Sequence, residues 1–399
     1  MGDVNSIWDA KFLEYDVAVI GGGIIGVNTA ISLAEKNSSL RIVILERGIV
    51  PQGASTRNAG FACFGSASEI AADIDLLGPE ATFDLVYKRV SGVHRLLDRL
   101  KNHNVGLENH GGYDVLLQGF AEIDSSMHVM PHTTLQRLDE INSLLLPIFS
   151  VPVFHAVPER LAQHRFGAYA THLIYTPFES TIHSGKLMYE LWRVAERKGI
   201  QIRTGFDVQD IQSETVAGIT QHTLHANSLG ANQHTNTQPP IKCKHVVVAA
   251  SAQIPMLTNA YADLEIVPAR GQIIVTSPIP NLAINGSYHM DGGYYYFRNV
   301  GNRVLLGGGR NTAFEAEQTV ALETSMPIME HLERICKSVL LPHTNYTIDH
   351  RWAGTMAFSS SKQPIVKTIA PGVTVAFGCN GMGVAMAAHV GNLAANCLP

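Results

Sequence analysis

Charged side chains are scarce in this 399-residue chain: Asp, Glu, Lys and Arg make up 16% of it, against about a quarter of an ordinary soluble domain. The 29 Lys and Arg nearly balance the 34 Asp and Glu, for a net charge of −5. That excludes the strongly basic surface needed for broad binding to nucleic acid or anionic membranes. Cysteine is sparse, with five residues scattered over the chain and no CxxC pair. A disulfide framework or structural zinc site is therefore not expected, and the pattern suits a reducing, cytoplasmic setting. The 18 histidines contain no HExxH motif, so no metal site is expected. The most apolar stretch, residues 16–34, contains an Asp, an Asn, two hydroxyl residues and three consecutive glycines. It makes a poor transmembrane span, which needs about 20 predominantly apolar residues. The opening MGDVNSIWDAKFLEY has an acidic flank and no apolar core, so no secretory leader is expected.

What the chain does have is apolar bulk, 46% of its residues. At roughly 150 residues per domain, two to three domains are expected. Residues 15–20 (YDVAVI) read as a buried strand, 24–36 as a helix and 41–46 (RIVILE) as a second strand; this is a β-α-β unit, the mark of a parallel sheet. Helices are predicted over 80–103, 184–198 and 326–340, the first with Val86, Val90, Val93, Leu97 and Leu100 on one face. Strands are predicted at 200–203, 206–212, 219–226, 245–250, 266–276, 292–298, 302–308 and 373–377. The polar stretch SLGANQHTNTQPP reads as a loop. A last helix follows a glycine-rich turn near the carboxy terminus.

Gly21-Gly22-Gly23-Ile24-Ile25-Gly26 places GxGxxG between the first strand and the first helix. Glycines allow a tight turn and close approach of backbone N–H groups to a pyrophosphate, and the helix N-terminus favours that anion. Glu46 follows Gly26 by 20 positions at the end of the second strand, where an acid accepts hydrogen bonds from ribose hydroxyls and disfavours a 2′-phosphate. The alternative is a glycine turn used only for close helix–sheet packing. Together these features predict a dinucleotide site.

Further segments set the choice between FAD and NAD by resemblance. DVAVIGGGIIGVNTAISLAE with VILERG, GASTRNAGF (53–61), HSGKLMYEL (183–191) with GIQIRTGFDV, VVVAASA (246–252), PARGQ (268–272) and FGCNGMGVAM (377–386) together resemble the D-amino-acid oxidase superfamily of flavoenzymes. That group includes glycine oxidase, sarcosine oxidase and γ-glutamylputrescine oxidase. The resemblance implies a Rossmann-like α/β FAD-binding domain (residues 1–90, 170–252 and 345–399) interleaved with a mixed-sheet α+β substrate domain (91–169 and 253–344). It implies noncovalent FAD, held by Gly21, Gly23, Ile24, Ile25, Gly26, Glu46, Arg47, Ser55, Thr56, Arg57, Asn58, Ala59, Gly60, Val208, Ser251, Gly354, Gly381, Met382 and Gly383. Val208 contacts the adenine through its backbone in this reading, and the small residues 53–60 lie along the flavin. A cation at Arg57, or the N-terminus of the last helix, would stabilise charge on a reduced flavin.

Strand alternation sends Tyr294, Tyr296 and Arg298 to one face. If that face covers the flavin, Tyr296 and Arg298 join Arg57 as candidate catalytic residues; the competing reading is an aromatic core strand with a rim arginine. One departure from the family bears on substrate. Glycine oxidase and D-amino-acid oxidase grip the substrate carboxylate with an arginine in a G-x-R-P turn, and Met356 stands at that place here. A thioether makes no bidentate pair, which leans the reading toward amine-oxidising branches. A second departure is Ser251, where the family strand ends in Ala-Gly.

The resemblance implies oxidation of the C–N bond of an amine or amino acid to an imine, by hydride transfer to flavin N5, with oxygen or a quinone as electron acceptor. Two alternatives stay open: a 2-hydroxy-acid dehydrogenase on the same fold, and a flavin-dependent tRNA-modifying or binding domain. The net charge of −5 counts against the last.

Overall fold

The computed structural model describes residues 6, 8–120, 131–228, 238–257, 264–359 and 361–398. Most of the loop expected at 228–240 lies outside them.

Two eight-stranded sheets organise the chain. In the first, Glu14–Ile20 runs parallel to Ile42–Glu46 on one side and to Ile241–Val248 on the other. Gln201–Thr204 and Val373–Phe377 extend it in parallel, and Ile365–Ala370 closes one edge antiparallel. The central strands are apolar on both faces because both faces are covered. Ile24–Lys36, Pro79–Arg99, Ser184–Arg197 and Gly383–Asn396 pack on one side around Val17, Val19 and Val247. The antiparallel pair Phe206–Val216 and Ile219–Ser228 covers the other around Ala18, Val43 and Val246. The helices approach closely where side chains are missing: a Cβ on Gly391 would lie 2.7 Å from the backbone of Asn28.

The second sheet is mixed, in the order Ile348–Phe358, Val267–Thr276, Arg303–Gly308, Tyr295–Val300, Ser287–Met290, Gly112–Leu117, Ala170–Thr176, His155–Ala156. One face is an apolar core. Tyr288, Met290, Tyr295, Phe297 and Leu306 pack there against the helix Met326–Ile335. The opposite face turns toward residues 54–62.

The expected boundaries move at three points. Ala170–Thr176 and Ile348–Phe358 hydrogen-bond into the second sheet, whereas the sequence reading put 170 and 345 onward with the first. The helix Pro79–Arg99 packs as one piece on the carboxy-terminal helix, so no break falls at 90. The strand expected at 292–298 starts later, at Tyr295. Gly292 and Gly293 take φ of 61° and 86° in a short 3-10 turn, so Ser287–Met290 and Tyr295–Val300 form a hairpin. Tyr294 ends that turn and lies outside the strand.

Candidate active site

The glycine-rich loop leaves the carboxyl end of Glu14–Ile20 and enters Ile24–Lys36. Gly26 is needed where it stands, because a Cβ there would lie 1.9 Å from the Gly21 carbonyl oxygen. Gly23 is the N-cap and carries no capping side chain, so the first turn presents backbone donors in the way an anion site requires. Glu46 is buried, and its carboxylate accepts from the N–H groups of Gly22 (2.8 Å) and Gly48 (2.9 Å). The acid is thus fixed beside the loop. Gly21 also lies against Ala249 and Ala250. Ser251 follows with φ of 53°, the left-handed region where glycine is favoured, which accounts physically for the glycine usual in the family. Val208 is buried against the sheet with Val43 and Leu45. Arg47 is exposed and donates to Gln253 at 2.5 Å.

Residues 53–60 lie across this loop. Ser55 Oγ accepts from the Ile24 N–H at 2.9 Å. Thr56 donates to the Pro51 carbonyl. Asn58 ties the segment together, donating to the Ala54 and Ser55 carbonyls (2.9 Å each) and accepting from the Gly60 N–H at 2.8 Å. Gly60 approaches so closely that a Cβ would meet the Ile182 carbonyl oxygen at 2.0 Å. Ala59 packs on the second sheet beside Tyr296 and Trp352. Arg57 donates to the Ala353 carbonyl at 2.8 Å, and its Cβ packs on Gly354. The last helix arrives from the other side: a Cβ on Gly383 would lie 3.9 Å from Ile24. Met382 sits beside it at the N-cap and places its sulfur 4.0 Å from Cys63. Gly381 faces the Phe358 ring at 3.8 Å from an added Cβ. Two helix N-termini and the 53–60 segment therefore converge, as an anionic dinucleotide requires.

The second sheet forms the far wall. Tyr296 and Arg298 do share the face toward residues 54–62, while Tyr295 and Phe297 lie in the core behind. Tyr296 leans over glycines. A Cβ on Gly307, its cross-strand partner, would lie 2.4 Å from the ring, and one on Gly271 would lie 3.6 Å from the phenol oxygen and 3.0 Å from Met356 Cε. Burial pushes the phenol up to about 12, with Arg310 pulling the other way, so it is a hydrogen-bond donor at neutral pH. Arg298 is placed differently from the sequence expectation. It is buried and donates to the carbonyls of Ile182 (2.9 Å), Gly60 (3.2 Å) and Asn299 (2.8 Å). Burial lowers its pKa, yet a guanidinium stays charged at neutral pH. Nε and Nη1 serve the backbone and Nη2 lies 4.0 Å from the Glu108 carboxylate, and the sequence reading of a substrate-facing guanidinium is corrected to that extent.

Sequence reasoning missed Arg310. It follows Gly309 at the end of Arg303–Gly308, with its guanidinium carbon 4.5 Å from the Phe358 ring centroid and 4.9 Å from that of Phe314. Phe358 is two residues beyond Met356 on the same strand, so both face the same way. The carboxylate that acts on Arg310 electrostatically, Glu317, is held by Arg270 (2.7 and 2.8 Å) and Gln272 (2.8 Å). Among the described residues the Arg310 guanidinium makes no hydrogen bond or ion pair. A second cluster, Cys63, Glu179 and His289, is buried on the same side of the sheet. Nothing in the sequence pairs these three, since the fold brings them from three distant segments.

The sequence profile of the family described as "DAO: FAD dependent oxidoreductase" matches residues 16–397. The "Probable oxidoreductase OrdL" of Rhizobium meliloti (strain 1021) is 24% identical over 397 residues, covering 95% of this chain and 81% of the relative. The glycine oxidase of Geobacillus kaustophilus (strain HTA426) is 24% identical over 299 residues, 74% of this chain and 70% of that one. Among solved structures, L-proline dehydrogenase from P. horikoshii superimposes with a TM-score of 0.70 at 18% identity, covering 97% of this chain and 93% of that one.

Proposed function

The chain belongs to the DAO family of FAD-dependent oxidoreductases, and on that premise we propose that it oxidises the C–N bond of an amine that also carries a carboxylate. FAD is the cofactor, and when bound it supplies the two-electron acceptor. The residues present fit it: a donor-rich loop at Gly21–Gly26, an acid fixed at Glu46, a close-packed segment at 53–60 and a second helix N-terminus at Gly383. The strand Ile348–Phe358 contains no cysteine, which supports noncovalent binding.

The observation that carries the reading is Arg310. It is a partly buried guanidinium over two aromatic rings, without a carboxylate partner among the described residues, close enough to Tyr296 to act on it electrostatically. Such a cation gains from a bidentate carboxylate. The missing arginine at Met356 is thereby replaced from the neighbouring end of the sheet. Tyr296, protonated, donates from the same wall. Arg57 holds the flavin-side segment to the strand that carries Met356 through the Ala353 carbonyl. The substrate amine is taken up neutral, and the residues of the wall act by orienting its C–H bond. The glycine oxidase and L-proline dehydrogenase among its relatives are named for substrates of this class.

The test is anaerobic bleaching of the visible flavin band by matched pairs: amino acids and N-methyl amino acids against the same amines without the carboxylate, with 2-hydroxy acids alongside. Bleaching confined to the carboxylated amines is expected. Bleaching by the decarboxylated partners at equal efficiency overturns the reading of Arg310, and bleaching by 2-hydroxy acids alone moves the substrate to the alcohol class.

A further inference from the structure

The short ribbon of Phe61–Ala62 paired with Ser180–Thr181 continues directly from the 53–60 segment and lies against the polar face of the second sheet. That face reaches it with buried side chains. Arg298 donates to the carbonyls at Gly60 and Ile182, just outside the two strands of the ribbon. Ser287, opposite Arg298 across the hairpin, donates to Glu179 Oε2 at 2.7 Å. His289, opposite Tyr296, places Nε2 3.0 Å from the same oxygen and has the Cys63 thiol as its other neighbour. Gly112 leaves the room: a Cβ there would lie 2.2 Å from Glu179 Oε2. Finally, the Phe61 ring stands edge-on to both His289 (centroids 5.2 Å apart) and Tyr296 (6.0 Å). Glu179 and His289 are 1% and 5% exposed, so water does not hold them in place.

A buried ion pair is a weak source of stability, because its desolvation cost is about as large as its attraction, and an apolar pair of the same volume would serve as well. What it adds is direction, since each donor has one acceptor in one place. We propose that the Glu179–His289 pair, with Ser287 and Arg298, is a staple that fixes the spacing between the flavin-side segment and the Tyr296 wall, which makes Glu179 and His289 positioning residues of the substrate pocket. The proposal rests on the reading that residues 53–60 line the flavin and Tyr296 the substrate. Glu179 lies on the ribbon side and His289 on the sheet side, so each end of the staple belongs to one wall. A displacement of about 1 Å between such walls is enough to lower a rate about a hundredfold.

The experiment compares the FAD-loaded wild type with Glu179→Gln, Glu179→Asp and Ser287→Ala by amide hydrogen exchange and by visible circular dichroism of the bound flavin. Glu179→Gln is expected to speed exchange at 53–62 and 180–182 at least tenfold, to leave the helix Pro79–Arg99 unchanged and to alter the flavin dichroism. Glu179→Asp, which keeps the charge, should restore part of both. Ser287→Ala removes one donor and gives a milder form of the same pattern should Glu179→Gln fold poorly. Unchanged exchange, or a rise spread evenly over the chain, overturns the staple. So does a stoichiometric divalent metal in the wild type that is lost in Cys63→Ser: the thiol, imidazole and carboxylate lie within 4.8 Å of one another, and Glu179 Oε1 has no partner among the described residues. No substrate enters these measurements. A protein that no amine bleaches overturns the reaction class alone.

Discussion

Arg298 Nη1 donates to the carbonyl oxygen of Ile182 at 2.9 Å, across the boundary between the second sheet and the segment that leads into the helix Ser184–Arg197. The same nitrogen reaches Gly60 at 3.2 Å. Arg298→Met removes a charged donor and leaves two buried carbonyls without it, a loss of about 2–4 kcal/mol. Urea unfolding of the FAD-loaded protein measures it. A variant as stable as the wild type, with a large rise in KM, would return Arg298 to direct substrate contact.

Arg310 makes a separate prediction, because its guanidinium lies over two aromatic rings without a hydrogen bond among the described residues. Arg310→Met should raise KM for a carboxylated amine about 10- to 100-fold, the worth of about 1.4–3 kcal/mol in charged hydrogen bonds. Amines lacking the carboxylate should be untouched. Arg310→Lys should recover only part, since an ammonium makes no planar bidentate pair. Steady-state kinetics on one matched pair of substrates checks this. An equal rise for both substrates would mean that Arg310 supports the wall and does not meet the carboxylate.

The nucleotide half of the molecule was legible because its signals are local. Strand, GxGxxG, helix and Glu46 lie within about thirty residues, and the helix Ile24–Lys36 and strand Val373–Phe377 have the predicted limits. The second sheet was read less well. Gly112–Leu117, Ala170–Thr176 and Ile348–Phe358 escaped notice, since apolar residues occur on both of their faces: Val115 and Leu173 lie in the core of the sheet, Leu116 and Ile174 pack behind it with Phe64, and Trp352 meets Ala59. Their alternation is set by contacts from distant parts of the chain. For the same reason Tyr296 was legible as a wall residue, whereas Glu179 and Arg310 were not. Glu179 is explained by Ser287 and His289, 108 and 110 residues away, and Arg310 by Phe358.

The glycines of the loop should differ in what their substitution damages. A Cβ on Gly26 would overlap the Gly21 carbonyl oxygen at 1.9 Å, a backbone atom that cannot move away. On Gly23 it would meet Ser55 Oγ at 2.9 Å, the end of a side chain that can rotate. Gly26→Ala is expected to lower thermal stability with or without FAD. Gly23→Ala should keep the stability of the apoprotein and weaken FAD binding, because Ser55 leaves the Ile24 N–H and the methyl group stands at the loop. Fluorescence titration with FAD and thermal unfolding of both apoproteins separate the two effects; equal losses in both assays for both variants would refute the distinction.

The last prediction concerns pH. Burial disfavours the charge on His289, but the Glu179 carboxylate and the Cys63 thiol beside it outweigh burial and hold its pKa well above the ordinary 6.5. Asp114, its partner on the adjoining strand, also faces it. A group whose pKa is raised by folding binds its proton more tightly in the native state. Its contribution to stability is complete below the unfolded value and disappears as pH rises through the folded one. His289→Gln keeps a donor for Glu179 and removes the titration. The wild type should therefore exceed this variant in melting temperature by most at about pH 6, with the gap shrinking at alkaline pH. Melting curves of both FAD-loaded proteins from about pH 6 to about pH 9 test it. A gap that widens with pH would mean that His289 is buried neutral and that Glu179 is neutralised by something other than the imidazolium.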